Sequence, residues 1–322
     1  MTRVTIAVPT FNGARFLSET LASLRSQTLP PADLVVLDDA SSDDSAAVAA
    51  SMPEVRVIRS AERRGLAANW NAALALCETP YLVLAHQDDV YEPRFAETLV
   101  AALEAHPRAA AAHCKASTID EHGRPFTHPA GLYKERFWPR DAAIVEREPA
   151  AELAILRQGN YVIAPSAILR MSIVRQLGPF DTRYAFVTDW EYWLRASLAG
   201  HTLVGVVERL VRFRRHEATA TRDSERSLRR YEEELELLLS LPAPTSLRPL
   251  ENNLLADFVA RLAAGDRAGA AALLRFGHER IARFRYSTLM RFALHGGRAA
   301  GRLLALAQAA YLRTLAARPI RA

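Results

Sequence analysis

The chain has 322 residues, 50% of them hydrophobic and 24% charged, with a formal net charge of +5. That composition excludes wholesale disorder, a collagen repeat and a small disulfide scaffold, and it supports one large domain or a domain plus an extension. Cys77 and Cys114 show no metal-type spacing, Met1-Thr2-Arg3-Val4 opens no signal-peptide core, and no apolar run approaches the ~20 residues of a bilayer span, so a reduced cytoplasmic protein is expected.

The first hundred residues alternate strand and helix signals. Val4-Thr5-Ile6-Ala7-Val8 is a β-rich run stopped by Pro9. Residues 14–26 place Phe16, Leu17, Leu21 and Leu24 on one helical face. Leu34-Val35-Val36-Leu37 is continuously apolar, as a parallel strand buried on both sides would be. Val55-Ile58 is a third strand, Leu66–Cys77 a second helix, Tyr81-Ala85 a fourth strand, and 94–105 a helix opened by Pro93. Repeated β-α-β units imply a mostly parallel sheet with helices on both faces.

Further on, Ala109–Lys115 reads as a strand and 119–150, rich in Pro, His and charge, as loops or a lid. Residues 186–199 are helical and Leu203–Val207 is a late strand. From about 225 the pattern is helical, broken by Pro242, Pro244 and Pro249. A catalytic domain over 1–220 and a helical extension over 221–322 are expected. Charge divides the same way: net −2 before the boundary and +7 after it, with 11 Arg and one acid, Glu279, beyond Asp266.

Two acidic clusters follow apolar strands, Asp38-Asp39 and Gln87-Asp88-Asp89. Open α/β sheets bind ligands at the carboxyl ends of their strands. Neither G-x-G-x-x-G nor G-x-x-x-x-G-K-[ST] occurs, which disfavours a dinucleotide enzyme and a P-loop ATPase. Adjacent carboxylates at a strand end suit a hard divalent cation that bridges to substrate phosphates; the bland alternative is a helix cap. A carboxylate at Asp39 could accept the imide N–H of uracil or thymine, while Ser42 or Asp43 caps the next helix. Thr188-Asp189-Trp190-Glu191-Tyr192-Trp193 offers a general base beside aromatics, or a core helix that buries Trp190 and Trp193 with the acids outside. Arg212-Phe213-Arg214-Arg215-His216, followed by Thr219 and Thr221, suits phosphate oxygens or is a solvated basic loop. His86, His106, His113, His122 and His128 lack zinc-ligand spacing, and no nucleic-acid-binding pattern appears.

In order, these pieces resemble the family 2 glycosyltransferases, the inverting GT-A group. The matching residues are Val4–Asn12, Ser26-Gln27-Thr28, Leu37–Asp43, Arg64–Asn69, Gln87-Asp88-Asp89, Gly178-Pro179-Phe180-Asp181, Asp189-Trp190 with Trp193-Leu194-Arg195, and Arg214-Arg215-His216. The resemblance covers two thirds of the chain and stops near residue 221. It implies a GT-A fold and metal-dependent transfer of a sugar from a nucleoside-diphosphate sugar, UDP or dTDP favoured. The acceptor would be a saccharide or lipid-linked hydroxyl in cell-envelope polysaccharide or glycolipid synthesis.

The resemblance also implies roles. Pro9 and Thr10 would edge the nucleobase pocket, with Asn12 among the nucleotide contacts. Asp39 would hold the base N3–H, Arg64 and Asn69 would meet the nucleotide, and Asp88 would approach the ribose. Asp89, with His216, would ligate Mg²⁺ or Mn²⁺ on the diphosphate, near Arg214. Asp189 would be the general base, and Trp190, Glu191, Tyr161 and Ser166 would lie toward acceptor and sugar. The sequence departs from the family pattern at Gln87, where the first Asp of Asp-x-Asp is usual, and at Thr188, where Glu is usual. A nucleotidyltransferase is a rival reading that the loop Pro9–Arg15 fits poorly; a nucleotide-binding protein without turnover is another.

Residues 298–318 read as an amphipathic helix. Arg298, Arg302 and Arg313 share one side, and Leu303, Leu304, Ala307, Tyr311 and Leu315 the other. It could lie on an anionic membrane surface, at the inner face of the plasma membrane, or pack on the catalytic domain or on another subunit with its Arg face solvated.

Overall fold

The computed structural model describes residues 4–216, 227–242 and 245–316. The expected boundary at 220/221, Thr219, Thr221 and Pro244 lie outside the described residues, as do the side chains of Tyr311, Arg313 and Leu315. Contacts divide the chain into two units. The first takes in residues 1–127, 138–156 and 160–216; the second gathers 128–137, 157–159 and 217–322.

Among the described residues, the first unit is built on a nine-stranded sheet. Its strands are β1 (Val4–Thr10), β2 (Asp33–Asp38), β3 (Val55–Arg59), β4 (Tyr81–Leu84), β5 (Val90–Tyr91), β6 (Ala109–Ile119), β7 (Ile144–Glu146), β8 (Ala167–Arg170) and β9 (Thr202–Arg214). The spatial order is β3-β2-β1-β4-β8-β6-β9-β5, with β7 on β9. β1 to β4 pair parallel, and β6 pairs parallel with β9; β5, β7 and β8 run against their neighbours. The mostly parallel α/β architecture expected from the sequence is present.

Alternation along the strands puts helices on both faces. Val4, Ile6, Val8, Leu34, Val36 and Val83 join one core with Leu17, Leu21 and Leu24 of α1 (Ala14–Arg25), Ala49 of α2 (Ser45–Ala50), and Phe95, Leu99 and Leu103 of α4 (Phe95–Ala105). The opposite face of β1, β2 and β4 meets α3 (Leu66–Leu76), which buries Trp70 and Ala73. Strand β1 runs through Pro9 rather than stopping there. Beyond Ala7, which faces the last residue of β4, β1 is paired with β2 alone, and a one-sided strand tolerates proline.

The remaining helices of this unit are α6 (Pro149–Leu156), α7 (Met171–Leu177) and α8 (Thr188–Leu198). The segment read as loops, 119–150, contains β7 and, in the second unit, α5 (Pro129–Glu135). The late strand is 13 residues long rather than five. Its outward Glu208 and Arg209 interrupt the apolar run that marks a buried strand in sequence.

The second unit packs α5 with α9 (Arg229–Ser240), α10 (Arg248–Ala264), α11 (Arg267–Arg280) and α12 (Ser287–Ala316). Pro249 starts α10 instead of breaking it, in the first turn where no N–H is needed. Tyr231, Leu238, Leu254, Phe258, Leu262, Leu273 and Met290 are buried there. Gly301 of α12 lies against the main chain of α10: a Cβ would come 2.5 Å from the amide nitrogen of Ala263. Gly301→Ala is therefore expected to cost about 1–3 kcal/mol, the usual range for overpacking, read as a lowered urea midpoint. No helix of the described residues is long and apolar enough to cross a membrane.

Candidate functional site

Parallel strands deliver their last residues to one edge, and the loops after β1, β2 and β4 meet there. The β1 and β2 loops are laced together. Asn12 Oδ1 accepts the Ser42 amide at 2.8 Å, Gly13 N donates to Ser45 Oγ at 2.8 Å, and Ala14 N donates to Asp43 Oδ2 at 3.0 Å. Asn12 and Ala40 hold positive φ, 49° and 58°, an uncommon conformation retained at the strand ends. Asn12, expected among the nucleotide contacts, spends its carboxamide oxygen on this lacing. Asp43 accepts the Ser45 amide at 3.0 Å in the turn before α2, but the N-cap position falls on Asp44 and no side chain caps the helix, unlike the cap expected from Ser42 or Asp43.

Asp39 is buried where β2 ends. Its amide donates to Thr10 O at 2.8 Å, and its two carboxylate oxygens accept the amides of Arg64 and Gly65 at 2.8 and 2.9 Å. These bonds fix the carboxylate and leave each oxygen a second lone pair. Arg64 therefore reaches Asp39 through its backbone. Asn69 donates to Leu37 O at 2.9 Å, and the Thr10 hydroxyl donates to Val8 O at 3.0 Å; both side chains are buried and serve the fold. Arg63, one residue before Arg64, places its guanidinium 3.9 Å over the Phe11 ring, with Pro9 nearby in β1.

The turn after β4 carries the densest chemistry. Asp89 is fully buried; its Oδ1 accepts the Arg214 amide at 2.7 Å, and its Oδ2 has no hydrogen-bond partner among the described residues. Burial, then the Asp88 charge, push its carboxyl well above the usual range. Asp88 Oδ2 lies 2.9 Å from His216 Nε2. His86 Nδ1 is 3.9 Å from Asp89 Oδ2, and burial lowers its pKa, favouring the neutral imidazole that can ligate. One ligand atom each from His86, Asp88 and Asp89 lies within 4.8 Å of the other two. The sequence reading set His86 aside and named His216. In the structure His86 joins the cluster and His216 stands behind Asp88.

Arg214 has 2% of its side chain exposed. Its guanidinium donates to the Asp88 carbonyl, the Asp120 carbonyl and Glu19 at 2.8, 3.2 and 2.6 Å. It braces the turn from inside, which differs from the expected open contact with a diphosphate. Gln87 braces it from the other side: Phe11 N donates to Oε1 at 2.9 Å, and Nε2 donates to Phe11 O at 3.1 Å. Gln87 thus ties the third acidic loop to the first. Gln87→Ala is expected to lower stability by about 1–3 kcal/mol, the cost of leaving polar groups unsatisfied, measured as a lower unfolding midpoint. Gln87→Glu, which still accepts from Phe11 N but sets a second oxygen against Phe11 O beside Asp88 and Asp89, should lose at least as much.

Asp189 opens α8. Its Oδ2 accepts Asn160 Nδ2 at 2.8 Å and its Oδ1 accepts the Trp190 amide at 2.8 Å. Because β8 runs antiparallel to β4, the stretch leading into β8 lies at the same sheet edge as the 86–89 turn. Thr188, where the resemblance has an acid, donates its hydroxyl to Tyr184 O at 3.0 Å. The four residues expected toward acceptor and sugar are committed to the protein interior or to a partner. Trp190 is buried with its indole N–H on Leu156 O, Ser166 donates to Ile163 O, and Tyr161 donates to Glu152 at 2.7 Å. Glu191 pairs with Arg195 at 2.8 Å. Trp190 and Trp193 are buried, as the core reading of this helix expects, while Asp189 and Glu191 are half-buried and hydrogen-bonded rather than turned out to water.

Residues 5–173 match the family described as Glycosyl transferase family 2. Among curated relatives, the succinoglycan biosynthesis protein ExoU of Rhizobium meliloti is 34% identical over 96 residues, 29% of this chain and 28% of that protein. Among solved structures, S. aureus TarS in complex with UDP-GlcNAc superposes with a TM-score of 0.59 at 15% identity, covering 98% of this chain and 90% of that one. The mannosyltransferase PcManGT of Pyrobaculum calidifontis, in complex with GDP-Man and Mn²⁺, gives 0.54 at 20% identity, covering 98% and 86%. These two likenesses establish the fold.

Proposed function

The chain belongs to glycosyl transferase family 2, and from that premise we propose that it transfers a sugar, with inversion, from a uridine or thymidine diphosphate sugar to an acceptor hydroxyl. The observation that carries this reading is the convergence of Asp39, Asp88 and Asp89 on one edge of the sheet, with an unpartnered oxygen on buried Asp89.

Asp39, its carboxylate fixed by two amides, would accept the N3–H of uracil or thymine, beside Pro9 and Thr10. Asp88 and Asp89, with His86, fit a divalent cation: two carboxylates and one imidazole suit Mg²⁺ or Mn²⁺. Such an ion, when bound, supplies Lewis-acid stabilisation of charge on the departing diphosphate. His216 would hold Asp88 in place through its Nε2 contact. Asp189, oriented by Asn160, would take the proton of the acceptor hydroxyl as that oxygen attacks the anomeric carbon from the face opposite the diphosphate. Gln87 and Thr188, the two departures from the family pattern, have structural partners of their own.

We assign this catalytic machinery to residues 1–220 and an accessory role to 221–322. The pathway we favour is cell-envelope polysaccharide or glycolipid synthesis, a reading supported by the likeness to ExoU. Donor hydrolysis tests the assignment. Incubated with Mn²⁺ and a panel of UDP-, dTDP-, GDP- and CDP-sugars, the protein should release UDP or dTDP and leave GDP- and CDP-sugars intact. Release from GDP- or CDP-sugars alone would overturn the role given to Asp39.

A further inference from the structure

Helix α12 presents apolar side chains to solvent. It is kinked at Gly297 (φ 61°), and its second half packs on α10 through the face that carries Gly301. Leu303 and Leu306, one turn apart, point elsewhere and are each 70% exposed. Before the kink, Phe292 is 81% exposed while Met290 and Ala293 are buried. This refines the helix expected from the sequence. Leu304 is half-buried, whereas Leu303 and Ala307 on the expected apolar side stand in solvent. Exposed Arg302 stands one turn before Leu306, while Arg298, also exposed, donates its Nε to Ala263 O of α10 at 3.3 Å.

An uncovered apolar strip beside cations has two plausible occupants, a second copy of the chain or a lipid surface. Charge separates them. After Asp266 the sequence carries 11 Arg and a single acid, Glu279. Self-association through this helix would set Arg302 and its neighbouring arginines of one copy against those of the other, with Glu279 the one acid that the stretch after Asp266 itself supplies. An anionic bilayer meets both features. Leucines enter the boundary between headgroups and acyl chains, while arginines reach headgroup phosphates with their stems lying along the apolar surface. The helix is too polar to cross a membrane, as a helix lying in the interfacial plane would be.

We propose that the second half of α12 docks the protein onto an anionic lipid surface, with Leu303 and Leu306 as the inserting side chains and Arg302 as a phosphate contact. This is independent of the donor-site reading, because none of these residues belongs to that site.

The test is co-sedimentation of the full chain with vesicles. Binding is expected to equimolar phosphatidylcholine–phosphatidylglycerol vesicles, to be weak on pure phosphatidylcholine, and to fall as salt is raised. The double variant Leu303→Glu/Leu306→Glu should lose at least about tenfold in partitioning, since it removes the insertion and adds repulsion. Arg302→Ala should lose about fivefold, the factor that matches ~1 kcal/mol per basic residue near such a surface. All these positions are exposed, so melting temperatures should match the parent. The proposal is overturned if the full chain ignores the anionic vesicles, or if the double variant binds them as well as the parent. It is equally overturned if sedimentation velocity shows a dimer that the double variant dissociates.

Discussion

Asp189→Asn is expected to lower the rate of sugar transfer by about 10²–10⁴-fold, the usual contribution of a positioned general base, and to leave nucleotide affinity unchanged. The substitution keeps the size of the side chain, and its oxygen can still accept an N–H group of Asn160 or Trp190. What it removes is a proton acceptor. The fold should survive, because Trp190, Tyr192, Trp193 and Leu194 anchor α8 in the core. A loss confined to kcat, with an unchanged melting temperature and nucleotide shift, matches the base role. Asn160→Ala should give a smaller loss in kcat, because the carboxylate remains but is less well oriented. Full activity in Asp189→Asn would take Asp189 out of the mechanism.

The second large effect is expected at Asp89, and it has two parts that move in opposite directions. Asp89→Asn should abolish the metal-dependent part of nucleotide binding. At a ligand concentration ~100 times Kd, that part is seen as a loss of about 2.7 kcal/mol of ligand stabilisation. Without ligand, the variant should be as stable as the parent or more so. Asn can still accept the Arg214 amide, and it relieves the buried carboxyl of the burial and the Asp88 repulsion that push its pKa up. Lost binding with retained or raised stability marks a group kept for function. A simple fall in stability, with binding intact, would instead make Asp89 a structural acceptor for Arg214. The two effects are read from one pair of melting curves, with and without nucleotide and Mn²⁺.

Much of the fold is legible in sequence because short apolar runs such as Leu34–Leu37 and Tyr81–Leu84, alternating with segments of helical period, fit strands buried in a parallel sheet. β8 escapes detection because it is four residues long and takes its identity from two distant neighbours, β4 and β6. The far end of β9 escapes because its charged outward residues mask the strand. The acidic residues of the site are legible as carboxylates at strand ends. Their partners are not, since Arg214 reaches the Asp88–Asp89 turn across 126 positions of sequence. His86 was hidden for a related reason: its approach to Asp89 comes from the tightness of the turn, which spacing rules for zinc do not describe. The spacing of Trp190 and Trp193 has an equally simple lesson, that aromatics one helical turn apart more often build a core than a sugar platform.

The most direct measurement is the melting temperature of the unmodified protein with UDP, dTDP, GDP and CDP, each in Mn²⁺ and again in EDTA. A shift with UDP or dTDP that EDTA removes is the expected result; it would place the base on Asp39 and the diphosphate at the Asp88–Asp89 turn. No shift with any of the four nucleotides, or a shift that EDTA leaves unchanged, would contradict the assignment of this edge of the sheet as a metal-dependent donor site.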